Sequence, residues 1–139
     1  VIEYKTTFDL FYEALGGKWK HLIVSELTKA SKRPSELIGA LPGISHRMLT
    51  KELKELVEDG LVQRELFAEV PVRVEYSLTE YGNSTLPLLE ALCQWGEKHL
   101  ERITTQSTSH IERVDRLDAV TREDQLIVKR SVRIDRSHG

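Results

Sequence analysis

Residues 45–58 contain no glycine or proline and carry two chemically opposed sets of side chains, which limits what the chain can fold into more than any other segment does. At about 100° per residue of an α-helix, Leu49, Leu53 and Leu56 fall within about 60° of one another, with Val57 beside them. Arg47, Lys51 and Lys54 share an arc of similar width on the opposite side, flanked by Thr50 and, further round, His46. The pattern predicts a helix over residues 46–58, capped by the Ser45 hydroxyl and stopped at Asp59-Gly60, with leucines inward and cations outward.

The flanking sequence gives this helix its neighbours. Phe8, Leu10, Phe11, Ala14 and Leu15 predict a first helix that stops at Gly16-Gly17. Trp19, Leu22, Ile23 and Leu27 form the inward face of a second helix over residues 18–29. Pro34 sits where the first turn of a helix needs no N–H and leads residues 35–40 into a short third helix. Leu41-Pro42-Gly43-Ile44 makes a tight connection to Ser45. After Gly60 the period changes. Residues 61–67 and 73–78 flank a gap containing Pro71, and Val74, Tyr76 and Leu78 alternate with Arg73, Glu75 and Ser77, as in a β-hairpin. Thr79 then caps a last helical segment reaching about Ile103, bent or restarted at Pro87. The expected fold class is mainly α with a small β-hairpin, on the plan of a winged helix-turn-helix.

Every Phe, Tyr and Trp lies between Tyr4 and Trp95, so residues 5–103 are expected to form the folded domain and 104–139 a polar linker and C-terminal tail. Thr104 to Ser109 reads as linker. Ile111, Val114 and Leu117 have the spacing of a short amphipathic helix, and residues 125–134 are rich in β-branched side chains. Of the 139 residues 40% are hydrophobic and 30% charged, an ordinary globular balance. No window approaches the ~18 apolar residues of a membrane span, and the start lacks a secretory pattern, so the expectation is a soluble, cytoplasmic chain with no membrane partner.

The net charge of −2 is not that of a globally basic nucleic-acid binder, so any such function rests on where the charges sit. A basic and hydroxyl-bearing helix reached through a tight turn has the width and the donors that the DNA major groove accepts. Ser45, His46, Arg47, Thr50, Lys51 and Lys54 are the candidate contacts, and Arg47, near the helix start, is placed for two-point pairing with a guanine. Arg73 at the hairpin tip is the candidate for a phosphate or minor-groove contact. Arg33 and Ser35, at the start of the third helix, are candidates for a phosphate near free N–H groups. The same cations also fit an ordinary solvated surface, because Glu52, Glu55 and Glu58 on the helix weaken its positive field.

An enzyme is poorly supported. The five histidines show no pairing at metal-ligand spacing, there is no phosphate-binding glycine loop, and no cofactor is called for. The lone Cys93, beside Leu92 and Trp95, reads as a small apolar residue rather than a reactive thiol. The carboxylates of the fourth helix read as solvated. The final segment, with Leu88, Leu92, Trp95 and Leu100, is broader in apolar surface than one small domain covers. The simplest cover is a second copy of the chain, with Phe8, Phe11 and Tyr12 joining the same interface. A thicker monomer core is the alternative.

Gly16-Gly17-Lys18-Trp19-Lys20, residues 33–37, Leu41-Pro42-Gly43-Ile44-Ser45 with Arg47-Met48-Leu49-Thr50, Leu53-Lys54-Glu55-Leu56, Asp59-Gly60-Leu61-Val62, and residues 71–79 with Gly82 together resemble the HxlR-type transcriptional regulators. The resemblance runs colinearly over residues 5–103 and does not reach the tail. It implies a dimeric winged helix-turn-helix protein of bacteria or archaea that regulates transcription, dimerising through its N- and C-terminal helices. Several members of that family sense oxidants through a cysteine near the start of the first helix. Thr6 occupies that place here, so the resemblance does not extend redox sensing to this chain. Where the family's wing often reads Pro-Pro-Arg, this one reads Pro71-Val72-Arg73.

The expected partners are double-stranded DNA and a second copy of the chain, with no small-molecule effector assigned. A winged-helix module that holds a protein partner without specific DNA binding is the competing expectation.

Overall fold

The computed structural model describes residue 3, residues 6–106 and two strands at residues 111–115 and 131–134. The elements are α1 (Thr7–Leu15), α2 (Lys20–Leu27), α3 (Pro34–Ala40), α4 (His46–Glu58), β1 (Val62–Phe67), β2 (Arg73–Leu78), α5 (Glu80–Asn83), α6 (Leu86–Gln106), β3 (Ile111–Asp115) and β4 (Ser131–Ile134). They divide into two compact units, Val1–Leu86 and Pro87–Gly139. The division falls within residues 5–103, the span expected to be one domain.

In the first unit each helix begins where its sequence satisfies the first free N–H groups. Thr6 caps α1: its hydroxyl accepts from the Asp9 N–H at 3.2 Å, and its own N–H donates to Asp9 Oδ2 at 2.9 Å. Pro34 opens α3, and the Arg33 N–H donates to Glu36 Oε1 at 2.9 Å. Ser45 Oγ accepts from the Met48 N–H at 3.0 Å and starts α4. The second helix is shorter than the expected 18–29, because Gly17 takes a positive φ of 77° and Trp19 becomes its uncapped boundary.

The core forms where these helices meet. Ile23, Val24 and Leu27 of α2, Leu37 of α3, and Leu49, Leu53 and Leu56 of α4 are buried together with Leu15, Leu41, Ile44, Leu61 and Val62. Each such leucine contributes about 1.5–3 kcal/mol by leaving water. The predicted inward face of α4 is the observed one. On α2, Ser25 and Glu26 are buried as well, so that helix is enclosed on more sides than its apolar stripe predicts.

β1 and β2 pair antiparallel in register from Val62 opposite Leu78 to Phe67 opposite Arg73. Gln63, Glu65 and Phe67 therefore share one face with Arg73, Glu75 and Ser77, and Val62, Arg64 and Leu66 share the other with Val74, Tyr76 and Leu78. Lys32 extends β2's pairing by a single residue: its N–H donates to the Tyr76 carbonyl at 2.9 Å and its carbonyl accepts from the Tyr76 N–H at 2.8 Å. This mainly α arrangement with a small hairpin is the winged helix-turn-helix plan.

The ends of α4 and the hairpin meet in one junction. Gly60, at φ 77°, reverses the chain after α4. Thr79 Oγ1 donates to the Gly60 carbonyl and accepts from the Gly82 N–H at 2.9 Å, while the Thr79 N–H donates to the Leu61 carbonyl at 3.1 Å. Gly82 packs so close to that same carbonyl that a Cβ there would collide with it.

In the second unit α6 begins at Leu86 with Pro87 in its first turn, as a restart at Pro87 predicts. It continues through Gln106, which corrects the linker expected from Thr104. Thr105 Oγ1 donates to the Glu101 carbonyl at 2.8 Å and Arg102 Nε reaches Gln106 Oε1 at 3.4 Å, so side chains that read as linker instead support the last turn. The amphipathic helix expected around Ile111 and Val114 is also corrected: residues 111–115 form β3, antiparallel to β4, with Ile111 opposite Ile134 and Val114 opposite Val132. β-Branched residues favour an extended backbone, and a three-residue spacing over so short a window does not separate helix from strand. Ser107 to Ser109, Leu117 and residues 125–130 lie outside the described residues.

Gly82→Ala should destabilise the protein by about 1–3 kcal/mol, because the Leu61 carbonyl it meets is backbone and cannot rotate away. Urea unfolding of the two proteins at one temperature measures it; an unchanged midpoint would contradict this packing.

Candidate nucleic-acid interface

The outer face of α4 is set by the burial of its inner face. Arg47, Lys51 and Lys54 are exposed, as are Ser45, His46 and Thr50. Thr50 Oγ1 donates to the His46 carbonyl at 2.8 Å, which turns its proton back to the helix and leaves its lone pairs outward. Among the described residues none of the three cations has an ion-pair partner within 4.0 Å. α3 packs against α4 and β2, and α4 against β1, so turn, helix and hairpin lie side by side in one unit.

Glu55 departs from the solvated state expected of the α4 carboxylates. Its Oε2 lies 3.0 Å from Lys20 Nζ, and Lys20, whose side chain is only 10% exposed, also donates to the Glu13 carbonyl at 3.0 Å. The Lys20 hydrogen bond is the main cause holding the Glu55 carboxyl below its ordinary pKa of 4.5; the charges of Lys20 and Lys51 act in the same direction, against burial. One carboxylate of α4 is thereby neutralised on the side facing α2, and the cationic face is opposed by less negative charge than a residue count implies. Lys20 and its role were missed in the sequence, although a lysine three positions before Ile23 lies on the apolar stripe, and that was the available signal.

Glu26 was missed for the same reason, three positions after Ile23. Its side chain is 4% exposed; Oε1 is 4.0 Å from Lys32 Nζ and Oε2 has no hydrogen-bond partner. His21 is half-buried, and burial lowers its pKa below 6.5, partly offset by a hydrogen bond involving the Leu15 backbone.

The remaining predicted residues are placed differently from one another. Arg33 and Ser35 are exposed at the start of α3, where Glu36 already supplies an anion to the Arg33 N–H. Arg73 is half-buried and engaged within the hairpin: Nη2 is 3.2 Å from Glu69 Oε1, Nε is 3.0 Å from Glu75 Oε2, and the guanidinium carbon lies 4.1 Å from the Phe67 ring centroid. On α1, Phe8 and Tyr12 are 64% and 56% exposed, and Phe11 is half-buried with its ring centroid 5.6 Å from that of Phe8. On α6, Leu88, Leu92 and Trp95 are exposed along one stripe, Trp95 at 66% and stacked on His99, whereas Leu100 is half-buried and about 120° round the helix from Leu88. Among the described residues no cluster of three or more His, Cys, Asp or Glu could hold a metal ion, and no helix is long and apolar enough to cross a membrane.

A helix buried on its leucines, bare on its cations, entered by a tight turn and flanked by a hairpin defines a winged helix-turn-helix protein. A family profile described as HxlR-like helix-turn-helix matches residues 14–104. The chain is 41% identical over 110 residues to the HTH-type transcriptional regulator YtcD of Bacillus subtilis (strain 168), covering 79% of this chain and 87% of that one. It is 45% identical over 97 residues to an HTH-type transcriptional regulator of Methanothermobacter thermautotrophicus, covering 70% and 74%. Among solved structures, that of ytcD superposes with a TM-score of 0.67 at 42% identity over 69% of this chain and 98% of the other. The redox regulator HypR in its reduced form superposes with a TM-score of 0.68 at 36% identity over 72% and 99%. The chain belongs to the HxlR-like helix-turn-helix family, whose matched relatives are named as HTH-type transcriptional regulators.

Because the folded-state pKa of Glu55 is lowered, its stabilising pairing with Lys20 is complete above about pH 4.5 and is lost as the pH falls through the lowered value. Glu55→Gln should therefore lower the melting temperature at pH 7, and the gap from the unsubstituted protein should narrow towards about pH 3. Calorimetry at both pH values tests this; a gap independent of pH would refute the pairing.

Proposed function

We propose that the protein is a sequence-specific DNA-binding regulator that acts as a homodimer on a near-palindromic operator. The observation that carries the reading is the outer face of α4, where Arg47, Lys51 and Lys54 stand exposed and unpaired while Leu49, Leu53 and Leu56 hold the opposite face in the core. In this reading α4 enters the major groove. Arg47 pairs with a guanine edge near the helix start, Thr50 accepts and His46 accepts or donates beside it, and Lys51 and Lys54 neutralise phosphates. The Ser45 N-cap faces the backbone, and Arg33 and Ser35 at the start of α3 reach a neighbouring phosphate.

Two copies present two such helices, and operator half-sites about 34 Å apart match one turn of duplex. Support for the second copy comes from the apolar side chains that α1 and α6 each leave in water: Phe8 and Tyr12 on one, Leu88, Leu92 and Trp95 on the other. Surface of this kind is costly to leave exposed, and a symmetric partner covers it without any further sequence. In this reading Phe11 joins the residues of α1 and Leu100 those of α6. A cytoplasmic location follows from a role on the chromosome of a bacterium or archaeon.

Arg47→Ala should cost about 1–3 kcal/mol of specific affinity and relax preference at one base position, whereas Lys54→Ala should weaken all sequences alike and flatten the dependence of affinity on salt. Selection of bound fragments from random duplexes at two salt concentrations reads both; specificity unaltered by Arg47→Ala would overturn the assignment. Leu92→Glu should shift sedimentation from a dimer towards a monomer, since it places a charge in the apolar stripe. Unchanged mass would remove α6 from the interface.

A further inference from the structure

The hairpin has a problem that its own sequence must solve. Lys32, α3 and α4 support the strands, but the tip is apolar and bare: Leu66 and Val72 are mostly exposed and Val70 wholly so. Two glutamates, Glu65 and Glu75, also stand directly opposite each other on its outer face, an arrangement that repels. On that same face Arg73 lies opposite Phe67 in register, and its guanidinium meets three groups from three places. Glu69 comes from the turn, Glu75 from the neighbouring position on β2 and the Phe67 ring from across the ladder. The Glu75 oxygen sits close to Nε but off the line of the N–H bond, so that contact is a charge pairing rather than an aligned hydrogen bond. The Gln63 amide extends the ladder of cross-strand contacts by donating to Ser77 Oγ at 3.1 Å.

We infer that Arg73 is a positioning residue of the wing: it holds the hairpin in the shape that DNA binding uses and does not itself touch the duplex. The inference rests on the DNA-binding reading and deepens it. An arginine destined for a phosphate or a minor groove must bring an uncompensated charge to it. This one has two carboxylates and an aromatic face around it, and leaving them would strip the outer face of the only cation among Glu65, Glu69 and Glu75. Arginine suits the task because its planar fork sets two nitrogens beside two carboxylates while its face lies on a ring, which a lysine's point charge cannot do.

Salt dependence separates a strut from a contact, because each phosphate neutralised adds roughly 0.9 to the slope of log affinity against log salt. Arg73→Lys and Glu75→Gln are compared with the unsubstituted protein on the selected operator, in salt titrations and by hydrogen exchange of the hairpin amides in the free protein. Both variants should lose about five- to tenfold in affinity, within the usual range for one substitution, keep the same salt slope and exchange their hairpin amides faster. The Glu75→Gln result is the sharper one, since removing a negative charge beside DNA would otherwise tighten binding. If Arg73 is a phosphate contact, Arg73→Lys will bind nearly normally with unaltered exchange. If it is a cation held in reserve by its carboxylates, Glu75→Gln will bind more tightly with a steeper slope. Either result overturns the inference. An unsubstituted protein with no salt-dependent affinity for any duplex defeats the DNA-binding reading itself, and the strut then stands or falls on the exchange rates alone.

Discussion

Burial of Leu49, Leu53 and Leu56 is the constraint on which the rest depends. A helix is a stiff cylinder with fixed angular spacing, so anchoring one side decides the direction of every residue on the other. Rotating α4 by one residue, about 100°, would push a lysine into the core and lift a leucine into water, at a cost of several kcal/mol. The cations therefore need no contacts of their own to point outward.

Charge inside the unit complements this. Lys20 pairs with Glu55, and Arg73 pairs with Glu69 and Glu75 at the hairpin. Each pairing removes an acidic group that would oppose a nucleic acid, without adding to the net charge of −2. A protein that is slightly acidic overall can thus present one basic face, because some of the carboxylates nearest to it are paired with neighbouring cations. That is a more economical route to a local field than a large positive excess, which also attracts unrelated polyanions.

Much of this was legible in the sequence because periodicity, capping and turn residues agreed. The start of α4 at Ser45, its end at Asp59-Gly60, the presence of the hairpin from the alternation at 73–78 and the restart near Pro87 all follow from local chemistry. The ion pairs did not follow. Lys20 and Glu55 are far apart along the chain and meet only once α2 and α4 pack, and Arg73 in sequence is as free as Arg47. What separates those two arginines is the fold around them: one stands on a convex helix, the other is enclosed by a turn that brings Glu69 back upon it. The end of α6 failed differently. Threonine and glutamine read as linker by composition, yet Thr105 and Gln106 close hydrogen bonds with the preceding turn. At Ile111 and Val114 the spacing suited two structures, and pairing across to Val132 and Ile134 decided between them.

The Thr79 junction carries a mechanical consequence. One hydroxyl and one amide bind the exit of α4 to the exit of the hairpin, and Gly82 seals the joint from behind. Helix and wing are consequently joined at a rivet rather than by a tether, which fixes the base of the wing against the end of α4. In the proposed DNA-binding role, a duplex held by both would have to fit the spacing set at this joint, so groove shape as well as base sequence would bear on binding.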